Sequence, residues 1–212
     1  MKCIIFDLDG TLTCSGEGIM KSAVVTFEHF GLTPPNEAEL LTFVGPPLRD
    51  SFLNHGIDIA HIDEAIKVYR SRYNTVEKFE NYVYDGIDVL LKNLKNDGCR
   101  LFVATAKPEE VSVEILEYFG LAEYFEKICG ASPEMTEKKD IIKKLLDTVS
   151  DIKNPIMVGD TMTDINGAKA NNIPTVAVLW GYGNKDEITK SAYKTAKTTD
   201  ELYEILKGGW LI

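Results

Sequence analysis

The sequence predicts an α/β fold, a doubly wound, Rossmann-like parallel sheet with an inserted block of helices. Three observations carry this expectation. Short apolar runs end abruptly in polar or turn residues, amphipathic stretches of helical spacing lie between them, and the alternation lapses only between about residues 15 and 83. Runs this short, apolar without a polar alternate, suit strands covered on both faces. Strand and helix in alternation then give a parallel sheet with helices on either side.

The first strand is Cys3 to Phe6, running straight into Asp7. The insert follows. "GIMKSAVVTFEHFGL" reads as a helix ending at Gly31, and "NEAELLTFVGPPL" as a second stopped by Gly45, Pro46 and Pro47. "IDEAIKVYRSRYNTVEKF" is a third, and the chain returns near Tyr84, Asp85 and Gly86. Residues 1–14 and 84–212 are therefore expected to form the α/β core, and residues 15–83 a separate helical domain. In the core, "DGIDVLLKNLKNDG" places Ile87, Leu90, Leu91 and Leu94 on one helical face, with Gly98 as the stop. Leu101 to Ala104 is a strand ending at Thr105, and "KKDIIKKLLDTV" a helix. Ile156 to Val158 is a strand ending at Gly159 and Asp160, and "DINGAKANN" a helix. Thr175 to Leu179 is a strand that runs into Trp180, Gly181, Tyr182 and Gly183.

An apolar content of 44% and a charged content of 26% are those of an ordinary soluble globule. The net charge of −10 argues against a nucleic-acid backbone or an anionic membrane as partner. A small anion remains compatible, provided a cation sits in its pocket. The four cysteines, Cys3, Cys14, Cys99 and Cys129, lack CxxC spacing and suit a reducing compartment. With no basic-led apolar leader and no apolar run approaching about 20 residues, the expected location is the cytoplasm.

Ligands of doubly wound sheets bind beyond the carboxyl ends of the strands. Asp7 and Asp9 follow the first strand, Thr105 and Lys107 the second, Asp160 and Asp164 a later one. Asp7 and Asp9, at i and i+2, point to the same side of an extended segment, where like charges repel and resist desolvation. Four such carboxylates in one crevice call for a cation. Oxygen donors without histidine or cysteine fit a hard ion, Mg²⁺, which takes a few carboxylates and a substrate phosphate. A lysine and a hydroxyl beside them suit a phosphoryl group, whose transfer depends on positioning and charge neutralisation.

"DLDGTL", Thr105, a lysine ahead of a helix, and "GDTMTD" together resemble, in this order, the motifs of haloacid dehalogenase-like phosphatases. The nearest likeness is to the phosphoglycolate-phosphatase-like branch with a helical cap. The resemblance implies that Asp7 is the nucleophile, forming an aspartyl-phosphate, and that Asp9 protonates the leaving alcohol and then activates water. It implies that Asp7, Asp9 (through its backbone carbonyl), Asp160 and Asp164 hold Mg²⁺, Asp164 directly or through water. Gly10, Thr105, Ala106 and Lys107 fall at the phosphoryl group, Ala106 by its backbone N–H alone. The motif lysine is Lys138 or Lys139, and the family spacing favours Lys138. In the insert, "FVGPPLRDSF" is similar to the family's cap loop. There Gly45 belongs to a rigid turn, and Arg49 meets a second anionic group of the substrate or is simply solvated. His29, His55 and His61 lack the clustering of a metal site, and Phe27, Phe30 and Phe52 read as packing residues of the insert. Cys14 stands where relatives often carry an acid, and Ala106 where they often carry Asn or Ser.

The expected activity is hydrolysis of a small phosphomonoester, phosphoglycolate-like or a 5′-nucleotide, by a monomer or homodimer. A phosphosugar mutase of the same superfamily and a non-catalytic phosphate-binding module are the alternatives.

Overall fold

The computed structural model describes residues 1–208 and 210; residues 209, 211 and 212, the end of the segment expected to complete the core, lie outside the described residues. In chain order the elements are β1 (Cys3–Phe6), β2 (Thr13–Cys14), α1 (Gly16–His29), α2 (Glu37–Leu41), α3 (Leu48–Asn54), α4 (Ile62–Tyr73) and β3 (Tyr82–Val83). There follow α5 (Ile87–Asn96), β4 (Arg100–Pro108), α6 (Glu109–Tyr118), β5 (Lys127–Ala131), α7 (Lys138–Thr148), β6 (Pro155–Gly159) and α8 (Met162–Ala170). The chain ends with β7 (Thr175–Val178), α9 (Lys185–Ser191), β8 (Lys194–Ala196) and α10 (Thr199–Gly208). It divides into two units, Met1–Thr13 with Val83–Ile212, and Cys14–Tyr82.

The first unit is built on a six-stranded sheet of order β5-β4-β1-β6-β7-β8. All its pairings are parallel. β1 lies between β4 and β6, so every one of its residues is buried and none alternates to solvent. Phe6 is level with Val103 on one side and Val158 on the other. That register brings the chain just past β1, the end of β4 and the end of β6 to one edge, where Asp7, Thr105 and Asp160 emerge. Pairing of β4 with β5 is irregular between Ala104 and Pro108, and this break carries Thr105, Ala106 and Lys107.

The sequence runs account for four of these strands, β1, β4, β6 and β7. The other two, β5 and β8, are the sheet's outer strands. β5 carries Gly130 and a leading lysine, and β8 has only three residues, so neither displays a continuous apolar run. Edge strands need less apolar surface than central ones.

In the second unit α1 ends as expected, with Phe30 at its C-cap and Gly31 at φ +66°. The stretch from Asn36 does not continue as a helix to Gly45. α2 stops at Leu41, and Thr42, Phe43 and Val44 each bond back only three residues. The tightened turn lets Phe43 bury its ring against Phe52, at 5.2 Å between centroids, and Phe27, at 6.2 Å. Tyr69 closes this aromatic core 6.0 Å from Phe52. The "PPLRDSF" segment is not all loop: α3 starts directly after Pro47. Phe30 is not a core residue; it is half-buried and packs on the rings of His29 and His61. No helix among the described residues is long and apolar enough to cross a membrane.

Candidate active site

Asp7 continues the β1 ladder by one residue, its N–H donating to the Val158 carbonyl at 2.9 Å. The chain then turns tightly: the Leu8 carbonyl accepts from Leu12 and Thr13, and Gly10 N–H donates to the Thr13 carbonyl at 2.7 Å. Gly10 makes this possible with φ +83°. A Cβ at that position would also run into the Asp160 carboxylate.

Lys138 is the first residue of α7 and is 4% exposed. Its Nζ lies 2.7 Å from Asp7 Oδ1 and 2.8 Å from Asp164 Oδ1, and donates to the Ala104 carbonyl at 3.1 Å. Three donors thus meet three acceptors. Burial pulls the ammonium pKa down, but Asp164 and Asp7 outweigh it and hold the group charged, above the ordinary lysine range. Lys139, one residue on, is half exposed and pairs with Glu137 at 2.7 Å.

Asp160 and Asp164 enter from the end of β6. Asp160 Oδ1 accepts from Thr11 Oγ1 at 3.1 Å, and its Oδ2 from the Tyr182 N–H at 2.8 Å. Asp164 Oδ2 accepts from the N–H groups of Asp160 and Thr161, at 3.2 and 3.0 Å, and from Thr161 Oγ1 at 2.9 Å. Asp164 therefore caps the start of α8 with one oxygen and turns the other toward Lys138.

One carboxylate oxygen from each of Asp7, Asp160 and Asp164 lies within 4.8 Å of the other two, and all three residues are buried. Burial, then Asp164, raise the Asp7 pKa to about 7 despite Lys138. Burial raises Asp160 well above the usual carboxylate range, with Asp164 and Asp7 adding to it. A single lysine leaves this trio with an excess of negative charge in a dry setting. Oxygen-only donors at mutual distances spanned by one ion, with a local surplus of negative charge, fit a hard divalent cation.

Asp9 is not part of the trio. Its Oδ2 lies 2.8 Å from Lys107 Nζ, and its Oδ1 has no hydrogen-bond partner among the described residues. Asp7 and Asp9 are thus offset by different lysines, from α7 and from the irregular end of β4. Thr105, 1% exposed, accepts the Lys107 N–H at 3.2 Å, and Ala106 lies between these two residues. Gly45 and Arg49 belong to the second unit. Gly45 has φ +103°, and Arg49 is half exposed and pairs with Asp63 at 3.2 Å. His29 contacts Glu64, and His55 Nδ1 contacts the Ser51 carbonyl.

Sequence reasoning missed Thr11, Tyr182 and the Ala104 carbonyl. Thr11 is the fifth residue of "DLDGT", but a hydroxyl beside two acids gives no sign of which carboxylate it will hold. Tyr182 acts through its backbone, which no side-chain pattern reveals. The one signal was the pair of glycines around it, since a Cβ on Gly181 would strike Asp160 and one on Gly183 the Asp160 carbonyl.

Comparison with known proteins gives the family. Residues 4–178 match the model of the family described as haloacid dehalogenase-like hydrolase. The chain is 38% identical over 189 residues to a protein of Pseudomonas aeruginosa named 5′-nucleotidase, covering 87% of this chain and 86% of that one. It is 40% identical over 212 residues to the tyrosine-protein kinase PtkA of Mycobacterium tuberculosis, covering 97% of this chain and 72% of that one. Among solved structures, a predicted phosphatase from Clostridium acetobutylicum superposes with a TM-score of 0.92 at 39% identity, covering 98% of this chain and 99% of that one. The chain belongs to the haloacid dehalogenase-like hydrolase family.

Proposed function

We propose that this protein, a phosphatase of the haloacid dehalogenase-like hydrolase family, cleaves a small phosphomonoester by way of a phosphorylated Asp7. The supporting observation is the setting of the Asp7 carboxylate: at the end of the central strand, paired with Lys138, beside two acids able to share a cation with it. Asp7 attacks phosphorus, and the bond to the leaving oxygen breaks as the new P–O bond forms. Asp9, paired with Lys107 and outside the carboxylate trio, delivers a proton to the departing alkoxide. It then takes one from the water that releases phosphate. Thr105 Oγ1 and Lys107 bind phosphoryl oxygens, and Lys138 offsets the charge on Asp7. Asp7, Asp160 and Asp164, with the Asp9 carbonyl, would hold Mg²⁺, which when bound neutralises the acids and the phosphoryl oxygens.

For the substrate, the likeness to a 5′-nucleotidase favours a nucleoside 5′-monophosphate, with phosphoglycolate next. Phosphate release from nucleoside monophosphates, phosphoglycolate, sugar phosphates and pyrophosphate, each with Mg²⁺ and with EDTA, tests the reading. Magnesium-dependent turnover of at least one monoester, lost in Asp7→Asn, is expected; turnover unaffected by either change contradicts it.

The likeness to PtkA favours a second reading, in which the phosphoryl group on Asp7 passes to a tyrosine hydroxyl instead of water. Incubation with γ-labelled ATP and a tyrosine-containing peptide separates the two: label in phosphotyrosine supports transfer, label in free phosphate alone supports hydrolysis.

A further inference from the structure

We propose that Trp180 is a positioning residue for the metal site, setting the orientation of Asp160 through Thr11. The inference rests on the reading above that Asp160 holds a divalent cation. Thr11, completely buried, is used twice: its hydroxyl donates to Asp160 Oδ1 at 3.1 Å, and its carbonyl accepts from Trp180 Nε1 at 3.1 Å. Two residues beyond Trp180, the Tyr182 N–H holds Asp160 Oδ2 at 2.8 Å. The loop after β7 therefore grips one carboxylate at both oxygens, directly from residue 182 and by way of Thr11 from residue 180.

The intervening Gly181 lets the loop backbone lie against Asp160, since a Cβ there would meet that carboxylate. The indole is itself held in place. Its ring packs on Tyr84, 6.3 Å between centroids, and the Tyr84 N–H donates to the Leu12 carbonyl in the same turn as Thr11. An indole offers one N–H donor on a rigid apolar plate, so it fixes the Thr11 carbonyl without competing as an acceptor. Mg²⁺ demands near-ideal ligand geometry, and partners behind the ligands set it.

Calorimetric titration of the full chain with Mg²⁺ tests this on wild type, Trp180→Phe, Thr11→Val and the double variant. Phenylalanine keeps the plate against Tyr84 and removes only the donor. Trp180→Phe is expected to raise the Mg²⁺ Kd about fivefold, the worth of one hydrogen bond. Thr11→Val is expected to raise it about tenfold. The double variant is expected to be no weaker than Thr11→Val alone, because the tryptophan acts through the threonine. At saturating Mg²⁺ the KM for p-nitrophenyl phosphate stays at its wild-type value. Wild-type Mg²⁺ affinity in Trp180→Phe overturns the proposal, as does a full additional loss in the double variant. A wild type that binds no Mg²⁺ overturns the metal reading and this one with it.

A second measurement does not depend on either variant folding. In Trp210→Phe protein the remaining tryptophan emission comes from Trp180. It is expected to change on Mg²⁺ addition and not to change in the further variant Asp160→Asn. An emission insensitive to Mg²⁺ overturns the coupling.

Discussion

Lys138 Nζ stands 2.7 Å from Asp7 Oδ1 with both side chains almost wholly out of solvent. The same ammonium lies 2.8 Å from Asp164 Oδ1, so one cation ties the end of β1 to the start of α8. Removing one member of a buried pair leaves the others charged and unsolvated, at about 3–5 kcal/mol. Lys138→Met is therefore expected to lose about that much stability in urea unfolding without metal, together with turnover. Lys139→Met, at an exposed pair, is expected to stay within about 0.5 kcal/mol of wild type and remain active.

The raised Asp7 pKa makes stability depend on pH in a stated direction. Between the ordinary value of 3.8 and about 7 the folded chain keeps a proton on Asp7 that the unfolded chain has lost. The folded state binds more protons, so this group's contribution to stability falls as pH rises through that window. In EDTA, Asp7→Asn is expected to be more stable than wild type at pH 8, the gap narrowing as pH falls from about 7 toward 4. Saturating Mg²⁺ at pH 8 is expected to reverse the order. Urea midpoints of the two proteins across pH check both statements.

Lys107 sits 2.8 Å from Asp9, and both are mostly buried. Loss of a charge-assisted contact is worth about 1.5–3 kcal/mol, so Lys107→Met is expected to lower kcat/KM about 10- to 100-fold. Lys107→Arg is expected to recover part of it. Wild-type kinetics in Lys107→Met would make the lysine a mere structural mate of Asp9.

Two glycines separate backbone strain from damage to the site. Gly10 and Gly31 both have positive φ, but a Cβ at Gly31 meets nothing within 4 Å, whereas one at Gly10 strikes Asp160. Gly31→Ala is expected to cost about 1 kcal/mol of stability and no activity. Gly10→Ala is expected to cost more than that and to abolish Mg²⁺-dependent turnover. Unfolding and phosphate release on the two variants give the comparison.

The central strands and their acids were legible because burial on both faces writes itself into sequence as an uninterrupted apolar run. Cys3 to Phe6 and Ile156 to Val158 have no polar residue to obscure them, and the carboxylates beyond them stand out. β5 and β8 were not legible, since outer strands tolerate Lys127, Gly130 and Lys194. α2 was overdrawn because helical spacing continued to Val44, while burial of Phe43 ended the helix at Leu41. The need for a cation near Asp7 and Asp9 was legible from charge alone. Its division between Lys138 and Lys107 was not, because it depends on the register of β4 and the placement of α7. The Trp180–Thr11–Asp160 chain, with Tyr182, lay beyond sequence reasoning for a related reason: each of its three contacts uses a backbone atom or a hydroxyl whose partner only the fold selects.

The central claim is that Asp7 carries the phosphoryl group, and chemical trapping addresses it most directly. The enzyme turning over a monoester with Mg²⁺ is quenched in acid, reduced with borohydride and digested, and the peptide containing residue 7 is analysed by mass spectrometry. The account predicts homoserine in place of Asp7, absent when substrate is omitted. Steady turnover with Asp7 unmodified, or the trapped group on another residue, would contradict it.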